Sequence, residues 1–87
     1  MALLSPKVLA QVNARSTGQV GVMSWEWILR ADGQVCYRLA KVDGRRERNA
    51  WTLATRLPAD ALDAIRGDQA KATAALDAIV RQHGYRR

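Results

Sequence analysis

The chain has 87 residues, 48% of them hydrophobic and 25% charged, which is the composition of one folded domain over residues 1–87 rather than of a disordered tail. One cysteine and one histidine are too few for an intramolecular disulfide or a four-ligand zinc site, so disulfide scaffolds and zinc fingers are excluded. Fourteen lysines and arginines against eight acids give a net charge of +6, which favours an anionic partner.

The longest apolar run, at the N-terminus, is far too short for a membrane span or a signal-peptide core. We therefore expect a cytoplasmic protein that makes no membrane contact.

The first predicted element is a short helix from Pro6 to about Ala14. Ser5 can serve as its N-cap, and proline is well tolerated at the first helical position. A strand remains an alternative for this segment, because small apolar residues also recur at every second position. These residues are Val8, Ala10, Val12 and Ala14.

From Gln19 to Leu57 the apolar period is two, which predicts a three-stranded antiparallel meander. The loop Ala31-Asp32-Gly33 fits a three-residue hairpin connection, with the glycine in the left-handed region. This loop sets the register of the first hairpin. It places Trp27 opposite Tyr37, Trp25 opposite Leu39, and Glu26 opposite Arg38.

A second turn at Asp43-Gly44 leads into the third predicted strand, Arg46 to Leu57. If the parity of the ladder is kept, this strand adds its apolar residues to the face that carries Trp25 and Trp27, and that face is the core. A two-residue turn would reverse the faces of the third strand, so this register stays open. The residues assigned to the core on this basis are Trp51, Leu53 and Leu57.

Two helices are predicted over residues 58–83, the first beginning at Pro58 and the second capped by Asp68. Gly84 stops the second helix, and Tyr85 to Arg87 form a basic tail. The fold class is therefore α+β in the order α-β-β-β-α-α, with the sheet in residues 19–57 packed on the C-terminal helices. Alanines on the second helix suit packing on this sheet or, alternatively, a homodimer.

Arginines line the face of the predicted sheet that lies opposite the tryptophans, with small neutral residues between them. Such a face can present guanidinium groups to phosphates or to an acidic protein surface. The alternative is an ordinary solvated face on which Glu26 neutralises Arg38. The candidate binding residues are Arg30, Arg38, Arg45, Arg46, Arg48 and Arg56.

The succession of Tyr37-Arg38, Gly44-Arg45-Arg46, a strand, Pro58 and a helix covers about 50 residues. It resembles the arm-binding domains of tyrosine recombinases, a resemblance that implies DNA contact through the exposed face of the sheet. The element order also resembles double-stranded RNA-binding domains. Here, however, Lys71 stands alone where those domains carry a lysine cluster.

We expect no enzyme, cofactor or metal, since Cys36 and His83 form no nucleophile and base pair in the sequence. The sequence predicts a small basic protein that binds nucleic acid, most simply DNA. The alternative is a phage or mobile-element inhibitor, of the anti-CRISPR or host-takeover kind. Such an inhibitor would use the same arginines on an acidic surface of a nucleic-acid-handling complex.

Overall fold

The computed structural model describes residues 7–19 and 21–86 of the chain. In this part of the chain, five strands form one antiparallel sheet, and two helices follow. The strands are β1 (Val8–Gly18), β2 (Gly21–Arg30), β3 (Gln34–Val42), β4 (Arg45–Arg46) and β5 (Thr52–Arg56), and the helices are α1 (Ala59–Ile65) and α2 (Gln69–Gln82). The sheet runs β1-β2-β3, and both β4 and β5 pair with β3. The fold is thus an α+β meander packed against C-terminal helices.

The predicted N-terminal helix is wrong, because residues 8–18 form strand β1. Its proposed cap and start, Ser5 and Pro6, lie outside the described residues. Ala10, Val12 and Ala14 are buried while the residues between them are exposed, which is the period of a half-buried strand. β1 pairs along its whole length with β2. Tertiary pairing has therefore decided between two readings that the local pattern allowed, and the sheet begins at residue 8 rather than 19.

The first predicted hairpin register is confirmed. Trp27 lies opposite Tyr37, and the two neighbouring pairs, Trp25 with Leu39 and Glu26 with Arg38, also match the prediction. Gly33 has a φ of +91° and closes the three-residue loop. A Cβ at this position would lie 2.9 Å from the carbonyl oxygen of Leu57, so both the backbone conformation and the close approach require glycine.

The expected placement of Trp51 and Leu53 in the core is wrong. The turn at Asp43-Gly44 has two residues, since Val42 pairs with Arg45, and both turn residues have positive φ as in a type I′ hairpin. The bulge between Leu39 and Lys41 offsets this turn, so Arg46 keeps its expected place on the side away from the helices. Residues 47–51 then belong to no strand, and the chain rejoins β3 with Leu53 opposite Cys36, also on the side away from the helices.

A bulge between Leu53 and Thr55 then restores the expected face. Beyond it, Leu57 packs against the buried core as predicted. The third segment thus presents different faces before and after the bulge.

The face covered by the helices, here called the inner face, carries the core. Trp27 and Leu29 of β2 and Val35 of β3 have no exposed surface, and α2 adds Leu76 and Val80. Trp27 stacks on Tyr37 with ring centroids 4.8 Å apart. Asp68 caps α2 by accepting a hydrogen bond from the backbone N–H of Lys71 at 3.1 Å. Within the described residues, no helix is long and apolar enough to cross a membrane.

Tyr85 and Arg86, which follow α2, contact the sheet. Arg15 and Arg86 exchange backbone hydrogen bonds across the outer edge of β1. Tyr85 packs edge-on against Trp25 and Trp27, at centroid distances of 5.3 and 5.4 Å. Burial of the phenol, together with the neighbouring Tyr37, raises the pKa of Tyr85. Tyr85 therefore covers one end of the core.

Candidate functional site

The face of the sheet opposite the helices, here called the outer face, is covered by no element of the described chain. α2 packs on β1 and β2 from the inner side, and the molecule is only 18 Å thick along its shortest axis. Strand pairing places six basic residues and Glu26 on the outer face, and Arg48 and Glu47 line a groove on the same face. The basic residues of this face are Arg15, Arg30, Arg38, Lys41, Arg46, Arg48 and Arg56, and the acids are Glu26 and Glu47.

Five of the six arginines predicted to bind share this face. Arg45 does not, because it pairs with Val42 and so lies on the side opposite its neighbour Arg46. Its role in binding remains a prediction. The five that the structure brings to one face are Arg30, Arg38, Arg46, Arg48 and Arg56.

Two basic residues on the outer face were missed by the sequence pattern, for different reasons. Arg15 was hidden because its segment was interpreted as a helix that ends near residue 14. Simple alternation along β3 would place Lys41 on the inner face, and it was not among the predicted residues. A bulge in β3 makes Lys41 pair with Ser24 on the outer face. The position of Arg15 could have been predicted from the alternation of its own strand. The position of Lys41 could not, because no local sequence signal marks the bulge.

Arg38 is held by two neighbours on the outer face. Its Nη2 lies 3.3 Å from Oε2 of Glu26, the neutralising pair expected from the register. Its guanidinium carbon lies 4.2 Å from the centre of the Trp51 ring. Glu26 therefore holds the edge of the guanidinium, and Trp51 packs against one of its faces.

A groove of about 620 Å³ opens on the outer face between the sheet and the segment that follows β4. Its sheet side is formed by β2 and β3, and its wall by residues 46–49. Nδ2 of Asn49 donates a hydrogen bond to the carbonyl oxygen of Leu39 at 3.0 Å, which ties the wall to the sheet. The groove is lined by Glu26, Arg38, Ala40, Lys41, Arg46, Glu47, Arg48 and Asn49.

An apolar row crosses the outer face beside the groove. Ile28 and Cys36 pair across β2 and β3 and are each only 4% exposed, although no helix covers them. Leu53 continues the row on β5 and is 47% exposed. The outer face therefore combines a basic surface with an aliphatic strip that ends at an open edge strand.

Cys36 and His83 lie on opposite faces of the sheet, since Cys36 pairs with Ile28 on the outer face and His83 lies beside Trp27. The thiol of Cys36 is buried, and Nδ1 of His83 lies 2.9 Å from the carbonyl oxygen of Ile79 in the last turn of α2. No group of three potential metal ligands occurs within residues 7–19 and 21–86. The arrangement is suited to binding through charge and shape.

No family model matches the sequence, and neither a curated protein nor a solved structure matches it.

Proposed function

We propose that the protein is a small, non-enzymatic DNA-binding protein whose outer face contacts the nucleic acid. The observation that carries this proposal is the distribution of charge. Seven bases and two acids make the outer face +5, which is nearly the whole net charge of +6. The rest of the sequence carries seven bases and six acids, a net charge of +1.

The outer-face cations are also available for a ligand. In the described part of the chain, the pair between Arg38 and Glu26 is the one ion pair on this face. The other two recorded pairs, Arg66 with Asp63 and Arg81 with Asp77, lie on or beside the helices. Unpaired arginines on a flat sheet can donate to phosphate oxygens without first breaking a protein contact.

Binding of the isolated protein to DNA over a range of salt concentrations tests the proposal. Each phosphate contact on duplex DNA contributes about −0.9 to the slope of log K against log salt concentration, so four or five contacts predict a slope near −4. Fluorescence anisotropy with a labelled random duplex, starting at about 50 mM salt, measures it. Absence of binding to both duplex and single-stranded DNA at that salt concentration would overturn the proposal.

Charge reversal provides a matched comparison of the two faces. Arg46→Glu with Arg48→Glu changes the outer face, while Arg45→Glu with Lys71→Glu makes the same change in net charge away from it. All four residues are exposed, so both double variants should fold. We expect the outer-face pair to weaken binding at least about tenfold and to reduce the slope by roughly two, and the other pair to have a much smaller effect. Equal losses would mean that net charge alone, and not this face, governs binding.

The second candidate function is a protein inhibitor that covers a nucleic-acid-handling complex. The exposed side chain of Leu53 favours it, as does Trp51 beside Arg38, because tryptophan and arginine dominate the energetics of protein interfaces. This function predicts little DNA binding and tight association with an acidic protein. Leu53→Asp would then abolish that association, whereas it should leave phosphate-driven DNA binding within about threefold.

A further inference from the structure

The guanidinium of Arg38 forms one surface of the groove. Arg38 lines the groove, whereas Trp51, which lies 4.2 Å from its guanidinium carbon, does not. The indole therefore covers one face of the guanidinium without lining the groove. Glu26 holds the edge of the same guanidinium at 3.3 Å. A planar cation supported in this way presents its free face with little loss of side-chain entropy on binding.

The charges around Arg38 are of two kinds. Lys41, Arg46 and Arg48 line the groove, and no ion pair involves them in the described residues. Glu26 and Glu47 line it as well. Two carboxylates inside the groove disfavour a buried phosphate but can accept hydrogen bonds from amino groups of a base. The groove is thus suited to a base, with its phosphates on the surrounding cations.

We propose that this groove binds one unpaired nucleotide of a single-stranded nucleic acid, with the base stacked on the guanidinium of Arg38 and the flanking phosphates on Arg46 and Arg48. This inference rests on the proposed function and specifies its substrate. Unpaired bases stack on arginine planes and expose their hydrogen-bonding edges, which bases within a duplex do not. The groove volume of about 620 Å³ falls in the range of roughly 300–1,000 Å³ that small-molecule sites occupy.

The test compares one sequence as a labelled single strand of about 12 nucleotides and as a duplex, in DNA and in RNA form. The variant Arg38→Lys keeps the charge but removes the planar stacking surface. The control Arg56→Lys makes the same change on the outer face, outside the groove. Since base stacking contributes about 1–3 kcal/mol per base, we expect the wild type to prefer the single strand at least about fivefold. Arg38→Lys should abolish that preference for the single strand over the duplex, whereas Arg56→Lys should preserve it.

The outcomes separate this inference from the proposed function. Equal affinity for single strand and duplex, or an equal loss on both with Arg38→Lys, would overturn the nucleotide site and leave outer-face binding intact. Failure to bind either form would overturn both proposals. Urea unfolding curves establish that the variants are folded. If Arg38→Lys does not fold, Trp51→Leu removes the support under the guanidinium, and we expect the same selective loss on the single strand.

Discussion

Two leucines on opposite faces of the sheet provide a sharp test of the fold. Leu29 lies on β2 in the inner-face core and has no exposed surface, whereas Leu53 lies on β5 on the outer face and is 47% exposed. The same change, leucine to alanine, can be made at each position. Simple alternation along the third predicted strand would place Leu53 in the core. The comparison therefore tests the outer-face position of Leu53, which the sequence pattern did not predict.

The expected magnitudes follow from burial. Leu29→Ala removes methyl groups from a closed core and leaves a cavity, which costs about 2–5 kcal/mol. Leu53 is about half exposed, so its truncation should cost about 1 kcal/mol. A chain of this length is stable by about 4–13 kcal/mol, so the first variant loses a large share of its stability. The two variants should differ by about 1–4 kcal/mol.

Urea unfolding monitored by circular dichroism measures this difference. With a denaturant slope of about 1 kcal/mol/M, the low end for small domains, the midpoint of Leu29→Ala should lie about 1–4 M below that of Leu53→Ala. The slopes themselves should match the wild-type slope. If Leu53→Ala destabilises the protein as much as Leu29→Ala does, the side chain of Leu53 does not lie on the outer face. The placement of Trp51 beside Arg38 would then be wrong as well.

Two further predictions concern the loop of the first hairpin and the C-terminal segment. Gly33→Ala should destabilise the protein by clearly more than Gly44→Ala in thermal melts. Both glycines have positive φ, which costs about 1–2 kcal/mol for alanine, but only at Gly33 would the new Cβ meet a backbone oxygen, that of Leu57. The pKa of Tyr85 is higher in the folded chain than its ordinary value, so its contribution to stability is present below pH 10 and is lost as pH rises through the folded-state pKa. Above about pH 10, the free energy of unfolding of the wild type should therefore fall relative to that of Tyr85→Phe. A difference that does not change with pH would show that the phenol titrates as it does in the unfolded chain.

Short-range chemistry accounts for the features that were predicted correctly. The loop Ala31-Asp32-Gly33 allows one geometry in which glycine takes positive φ, and that geometry fixes which residues of β2 and β3 face each other. The ion pair between Arg38 and Glu26 follows from the same register. The second helix and its cap at Asp68 were likewise predictable, because an N-cap acts within one turn.

The complete candidate site was not predictable in the same way. The alternation of residues along the sequence predicted five of its arginines. Three of these line the groove, and the groove forms only because the segment after β4 leaves the β ladder and rejoins it at Thr52. Residues 47–51 belong to no strand, and no local pattern predicts that Leu53 rejoins the ladder opposite Cys36. This offset brings Trp51 to Arg38.

Local patterns were sufficient to predict an α+β meander with Trp25 and Trp27 on the core side and arginines on the opposite face, since period, turn residues and caps act over a few neighbours. That residues 8–18 form a strand could not be predicted locally, because Val12 and Ala14 suit a helix or a strand equally. The strand forms because this segment pairs with β2 and because α2 packs against its buried side. Tertiary structure also decided that the chain after α2 returns to pair with Arg15. These choices depend on hydrogen bonds and burial between segments far apart in the chain, for which no local pattern encodes the partner.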